Sequence, residues 1–293
     1  AAEASVSVRG VTLAAMTVSL AGPAAAFVTV GIWTAFIVGT RALALRHLPP
    51  LDVALLRVAF AGAILLPWGW WICRGRSGTW LGVSPLPARR TALLGTFGGV
   101  GYALLAYSGY VYAPAAHSSV LMPGLLPLWT AVLSVAVLGE RISGPRLAGL
   151  ALVLCGAALM GVNAFWQANA GGQAWIGDLL FMGASFCWAN FAVLCRRWAV
   201  PAVEGTIAVI VFSVVLLAPI YAALVLSGLH MPGLREAPWS EILTQGVLQG
   251  WLSVVVSGTT FVVMLRHYGP VRSTLITAVV PGLSAMGALL FLG

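Results

Sequence analysis

The chain has 293 residues, of which 60% are hydrophobic and only 8% charged, and its mean hydropathy is +1.00. Soluble domains carry about 25% charged residues, and a soluble fold of this length has no means of hiding so much apolar surface from water. The composition excludes a cytoplasmic enzyme, a disordered chain and a disulfide-stapled secreted domain, and points to an all-α polytopic membrane protein. Every one of the fifteen cations is arginine, and with seven acids they give a net charge of +8 and a pI near 10.0. Such a balance can serve nucleic acid. Here the arginines lie in short connections between apolar runs, where they meet anionic lipid and fix topology. The expected partners are the lipid bilayer and a small-molecule substrate, with no nucleic acid, and a monomer is expected.

About 20 apolar residues cross the hydrocarbon core as a helix. By that measure spans are predicted at 27–46, 51–71, 91–111, 115–138, 146–163, 175–195, 203–226, 241–264 and 270–292. A β-barrel is excluded, because strands alternating lipid-facing and lumen-facing residues do not give such long apolar runs. Ahead of the first span, Gly10–Leu20 reads as a separate apolar segment, broken from the span at Gly22-Pro23. With the first span starting in the cytoplasm, the inside connections hold Arg74, Arg76, Arg89, Arg90, Arg141, Arg146, Arg196, Arg197, Arg266 and Arg272. The outside ones hold only Arg41, Arg46 and Arg235. Cytoplasmic loops carry the excess of cations, so this bias fixes that orientation in the membrane. Trp68, Trp70, Trp71, Trp166, Trp175 and Trp239 flank span ends as an interfacial belt is expected to. The four cysteines, Cys73, Cys155, Cys187 and Cys195, have no metal-ligand spacing and are expected to be small buried side chains. No metal or other cofactor is implied.

The chain repeats itself. An offset of 155 places Trp33 on Trp188 and Arg41 on Arg196; an offset of 152 places Pro49 on Pro201 and Asp52 on Glu204. Further on, an offset of 154 places Ser119 on Ser273, Pro127 on Pro281 and Gly139 on Gly293. The first repeat (27–163) holds five spans, an odd number, so the second (175–293) must insert upside down. Inverted repeats of this kind belong to secondary transporters, with the substrate site near the midplane between the halves.

Three stretches carry a family resemblance: the first span from Trp33 to Arg41, the Pro49-Pro50…Arg57 opening of the second, and the segment Ala115–Glu140 with Pro127 and a closing Gly139-Glu140. In these the chain resembles the EamA-type members of the drug/metabolite transporter superfamily, over nearly its whole length. The resemblance implies ten transmembrane helices arranged as two inverted five-helix repeats. It also implies export of amino acids or related metabolites, with similarity to YddG-type exporters of aromatic and other neutral amino acids. The second repeat ends before a tenth helix; either that helix is missing or the N-terminal segment 5–22 takes its place. Glu3 and Arg9, spaced like Glu140 and Arg146 before an apolar run, fit the second arrangement.

No HExxH, GxSxG or P-loop pattern is present, and no pair of acids lies inside a span, so enzyme chemistry is not expected. The lack of an obvious intramembrane carboxylate also favours facilitated diffusion, with a proton antiporter using His117 or Asp178 as the alternative. Prolines within spans release carbonyls four residues back: Pro123 that of Ser119, Pro127 that of Pro123, and Pro281 that of Thr277. Those carbonyls, with the Ser119 and Thr277 hydroxyls, are candidates to receive a substrate ammonium. Gly95, Gly98, Tyr102 and Gly109 share one face of the third span, and Gln249, with Gln245 a turn earlier, takes the matching place in the eighth. The face reads as cavity lining, or else as close packing through small residues, which accounts for the glycines but not the glutamines. Trp33 and Trp188 sit too deep for the interfacial belt and suit an aromatic wall, with Asn190 beside them. Gly98, Pro123, Pro127 and Pro281 are the candidate bends and His117 a candidate gate. Arg57, the one cation well inside a span, reads as a structural partner before a substrate ligand. The rival readings are a nucleotide-sugar or sugar carrier, for which one cation is thin support, a scaffold without transport, and a channel.

Overall fold

The computed structural model describes residues 20–36, 48–169 and 172–292. Within them the chain is helical throughout, with one isolated antiparallel bridge, Trp80–Ser84, and no strand. In chain order the helices are α1 (Leu20–Phe36), α2 (Pro50–Cys73), α3 (88–112), α4 (115–138), α5 (Gly144–Asn169), α6 (Ala174–Arg197), α7 (Ala202–Leu226), α8 (Trp239–Tyr268), α9 (Pro270–Thr277) and α10 (Val280–Leu292). Five stretches are long and apolar enough to cross a membrane: α2, His117–Leu138 within α4, α6, α7 and α8. The molecule is a multi-pass α-helical membrane protein. The segment 5–22 falls mostly outside the described residues. Where they begin, α1 is helical through Gly22-Pro23, the expected point of breakage.

The helix ends follow from the sequence. Pro49, Pro87, Pro114, Pro201 and Pro238 each stand as the N-cap of a helix, where the following turn needs no N–H from them. The α4 helix stops at Gly139, whose φ of 69° is the left-handed conformation that only glycine adopts without strain. The predicted ninth span is interrupted. It closes at Thr277 and resumes at Val280, because Pro281 has no N–H for the Thr277 carbonyl and its ring crowds that oxygen.

Two helices depart from 3.6-residue winding. In α3, Thr96–Val100 is π-helical and Gly99 leaves helical geometry altogether (φ −122°, ψ −105°); in α8 the π stretch covers Gly246–Val256. Both wide turns pack against the same kind of neighbour. A methyl on Gly95 would run into Phe212 of α7, and one on Gly246 into Phe60 of α2. Likewise Gly99 lies against Val209 and Ser213, and Gly250 against Arg57 and Ala61. Adding 152 carries Arg57, Phe60 and Ala61 onto Val209, Phe212 and Ser213, and Pro67 inside α2 onto Pro219 inside α7. One helix–helix contact is therefore built twice, α2 with α8 and α7 with α3. It also sets the register between α3 and α8 at 151 residues, not the 154 that placed Gln249 opposite Gly95.

An acid at the start of each helix ties α2 to α7 in the same reciprocal way. Asp52, in the first turn of α2, is fully buried and accepts from Tyr221 Oη (2.8 Å), from the Gly233 and Leu234 amides (2.7 and 3.3 Å), and pairs with His230 Nε2 (2.7 Å). Glu204, in the first turn of α7, pairs with Arg76 just beyond the end of α2 (2.8 Å). Each acid is held by the connection that follows the other helix, so the two helices run antiparallel. Exposed apolar side chains, among them Leu147, Leu152 and Leu159 of α5 and Trp70, Trp71 and Trp239 at helix ends, cover the outside. Cys73, Cys187 and Cys195 are buried as free thiols; Cys155 is exposed on α5, against expectation.

Candidate functional site

A cleft, part of it open to solvent, lies between the first and second halves of the chain. The first half lines it with Trp33 and Phe36 of α1, Arg57 of α2, Tyr102 and Tyr110 of α3, and Ser118, Met122, Pro123 and Leu126 of α4. The second contributes Ser185 and Trp188 of α6, Ser253 of α8 and Val280 of α10. The proline-bent α4 brings its wall close, and Ser185 Oγ donates to the Met122 carbonyl across from α6 (2.8 Å).

Aromatic rings form one side. Trp188, 8% exposed, meets Tyr102 (5.0 Å between centroids), Phe191 (5.2 Å), Phe261 (5.6 Å) and, edge to face, Trp33 (5.9 Å). Trp33 and Trp188 are the two residues that the offset of 155 in the sequence superposes. The Trp33 indole N–H donates to Ser257 Oγ (3.1 Å). The Trp188 indole N–H is buried with no partner among the described residues.

Polar groups form the other side. Arg57, 5% exposed, donates to Ser253 Oγ (3.1 Å), stands over the Tyr102 ring (5.8 Å) and lies beside the Tyr107 hydroxyl. Among the described residues no acidic side chain pairs with it. Behind it runs a buried chain: Tyr107 Oη donates to Gln249 Oε1 (2.7 Å), and Gln249 Nε2 to Gln245 Oε1 (3.3 Å). In front, Ser257 Oγ donates to the Ser253 carbonyl (2.6 Å) and so links Arg57 to Trp33. At the far end of α3, Ser118 Oγ donates to Tyr110 Oη (2.9 Å).

Of the candidates read from sequence, the cleft brings together Trp33, Tyr102, Trp188 and Pro123. Gln245 and Gln249 stand one layer behind it, fixing Tyr107. Asn190 Nδ2 donates to the Phe186 carbonyl of its own helix (2.9 Å), and Thr277 Oγ1 to that of Thr274 (2.9 Å); neither lines the cleft. Ser119 is half-buried and outside the lining, which takes its neighbour Ser118 instead. Gly98 and Gly109 are seats for the Phe191 and Phe181 rings, so the close-packing reading of that face holds, and the kink falls on Gly99. Pro127 is buried in α4, where Thr130 Oγ1 accompanies it and meets Thr274 Oγ1 of α9 (2.8 Å); Pro281 follows the break in the ninth span. His117 Nδ1 pairs with Asp178 Oδ1 (2.7 Å), joining the starts of α4 and α6. The reading missed Tyr110, Ser118, Ser185 and Ser253. Their signal was present as small hydroxyls in apolar spans, but choosing among many such residues needs the packing.

Residues 20–162 match the EamA-like transporter family. No curated protein matches the chain in sequence. Among solved structures, one crystal structure of a protein shares the fold with a TM-score of 0.62 and 22% identity, covering 94% of this chain and 88% of that one. The apolar helical chain, the cleft and the family match agree: over residues 20–162 this protein carries the sequence of an EamA-like transporter.

Proposed function

We propose that the protein exports neutral or aromatic amino acids, or related small metabolites, across a bacterial inner membrane by alternating access. The observation that carries this reading is the cleft itself: it is built from both halves and pairs an aromatic wall with one buried cation. Apolar surface takes the body of such a solute, and a few placed polar groups orient it. The twice-built α2–α8 and α7–α3 contact and the antiparallel α2 and α7 support two inverted repeats, the architecture in which halves rock about a midplane site. A nucleotide-sugar substrate would bring two or more phosphate charges to a lining that holds a single arginine. The protein acts as a monomer, and its first span starts in the cytoplasm.

The test is counterflow of labelled neutral amino acids into liposomes preloaded with the unlabelled compound. The wild type is expected to accumulate label. Trp188→Ala removes the ring at the centre of the wall and is expected to cut the rate about tenfold or more, the scale of losing one large buried aromatic contact. A broad panel that shows no counterflow overturns the reading.

A further inference from the structure

An isolated cation in a membrane protein's interior is costly, and burial without a counter-charge is tolerated mainly where function requires it. Arg57 is in that position. It is 95% buried, its partners are a serine hydroxyl and two tyrosines, and it faces the cleft. Among the described residues no acid pairs with it, and three are engaged elsewhere: Asp52 with His230, Asp178 with His117, Glu204 with Arg76. Packing does not demand the charge either. The second half builds the same helix contact with Val209 at the place of Arg57. The Trp188 ring, which also lines the cleft, carries a buried N–H with no partner among the described residues. A cationic donor thus faces a space whose lining, among the described residues, contains no carboxylate. That pattern complements an anion, and it offers an ammonium group no opposite charge.

We propose that Arg57 is the anion-binding residue of the cleft, and that the ligand is recognised by one carboxylate on a small aromatic or branched apolar body, its ammonium group being dispensable. Aromatic and branched-chain carboxylic acids, with hydroxy and keto acids among them, are then ligands alongside the corresponding amino acids. This rests on the transport reading for its biological sense, and its binding chemistry is tested separately.

The experiment is calorimetric titration of the full-length protein in lipid nanodiscs with four compounds of one size: phenylalanine, 3-phenylpropionate, phenethylamine and phenylalaninamide. The expected order places 3-phenylpropionate within about threefold of phenylalanine, and the two compounds lacking a carboxylate about tenfold or more weaker, the loss of a charge-assisted hydrogen-bonded pair. Arg57→Gln should bring the acid and the amino acid down to the level of the amine, while Arg57→Lys keeps part of the difference. Trp188→Phe, which retains a ring and removes the N–H, should weaken the acid more than the amine. Phenethylamine binding as tightly as 3-phenylpropionate overturns the proposal. So does an Arg57→Gln protein that melts like wild type and binds the acid unchanged. Counterflow of phenylalanine without binding of the acid would sink this inference and leave the transport reading standing; binding of the acid at Arg57 without any transport would do the reverse.

Discussion

Arg57 and Val209 occupy equivalent places in two copies of one helix contact, and the difference between them separates what folding needs from what the cleft needs. Replacing a buried, unpaired charge by an apolar side chain of similar length relieves desolvation that only Ser253 and the tyrosines now offset. Arg57→Met is therefore expected to melt no lower than wild type without ligand, and to gain on the order of 1 kcal/mol, while losing the stabilisation that a bound carboxylate confers. Thermal melts with and without 3-phenylpropionate measure both quantities. A marked fall in the apo melting temperature would mean that the guanidinium holds the fold together. At this scale the sequence spoke unevenly. Trp33, Tyr102 and Trp188 were legible because large aromatics deep inside spans have few other uses. Arg57 was visible but looked structural, since nothing in a sequence shows that no acid comes to meet it.

The helices themselves were the most legible feature, because hydrocarbon thickness sets their length and proline marks their starts. Which way each face points was not. Gln245 and Gln249 looked like cavity lining because they were placed opposite Gly95 on a regular 3.6-residue wheel. The π stretch Gly246–Val256 widens the turns, so residues beyond its start rotate away from the face that regular winding predicts. Gln249 turns instead toward Tyr107, with Gln245 bonded behind it. The glycines show why the wide turns persist. A Cβ on Gly250 would stand 2.5 Å from the Phe60 Cβ, 3.0 Å from the Ala61 nitrogen and 3.1 Å from the Arg57 carbonyl oxygen. Two of those three are backbone atoms, which cannot rotate aside. Gly250→Ala is expected to destabilise the protein by about 1–3 kcal/mol, as overpacking does. Gly258→Ala, whose methyl would meet Thr206 Cγ2 at a comfortable 3.6 Å, should cost far less. Denaturation of the two variants side by side checks the contrast; equal losses would show that the α2–α8 seat yields.

In the whole molecule, α2 and α7 run antiparallel, and each begins at an acid held by the connection that follows the other. Asp52–His230 and Glu204–Arg76 therefore sit at opposite ends of the helix pair, with the cleft and Arg57 between them. Repetition at offsets of 152–155 made this symmetry visible in the sequence, but the residues that close each end come from connections, whose contacts follow no periodicity. If the halves rock about the cleft, both ends must part in turn during a transport cycle, and fixing either one should stop it. In a background with Cys73, Cys155, Cys187 and Cys195 replaced by serine, cysteines at 76 and 204, or at 52 and 230, are joined by a short bis-maleimide after reconstitution. Each cross-link is expected to abolish counterflow, while the same variants left unlinked or capped singly retain it. Ligand binding should survive at least one of the two links, because the cleft lies between the ends and does not depend on both being free. Counterflow that continues with either end fixed would mean that solute passes without the two halves moving against each other, and alternating access would fall with it.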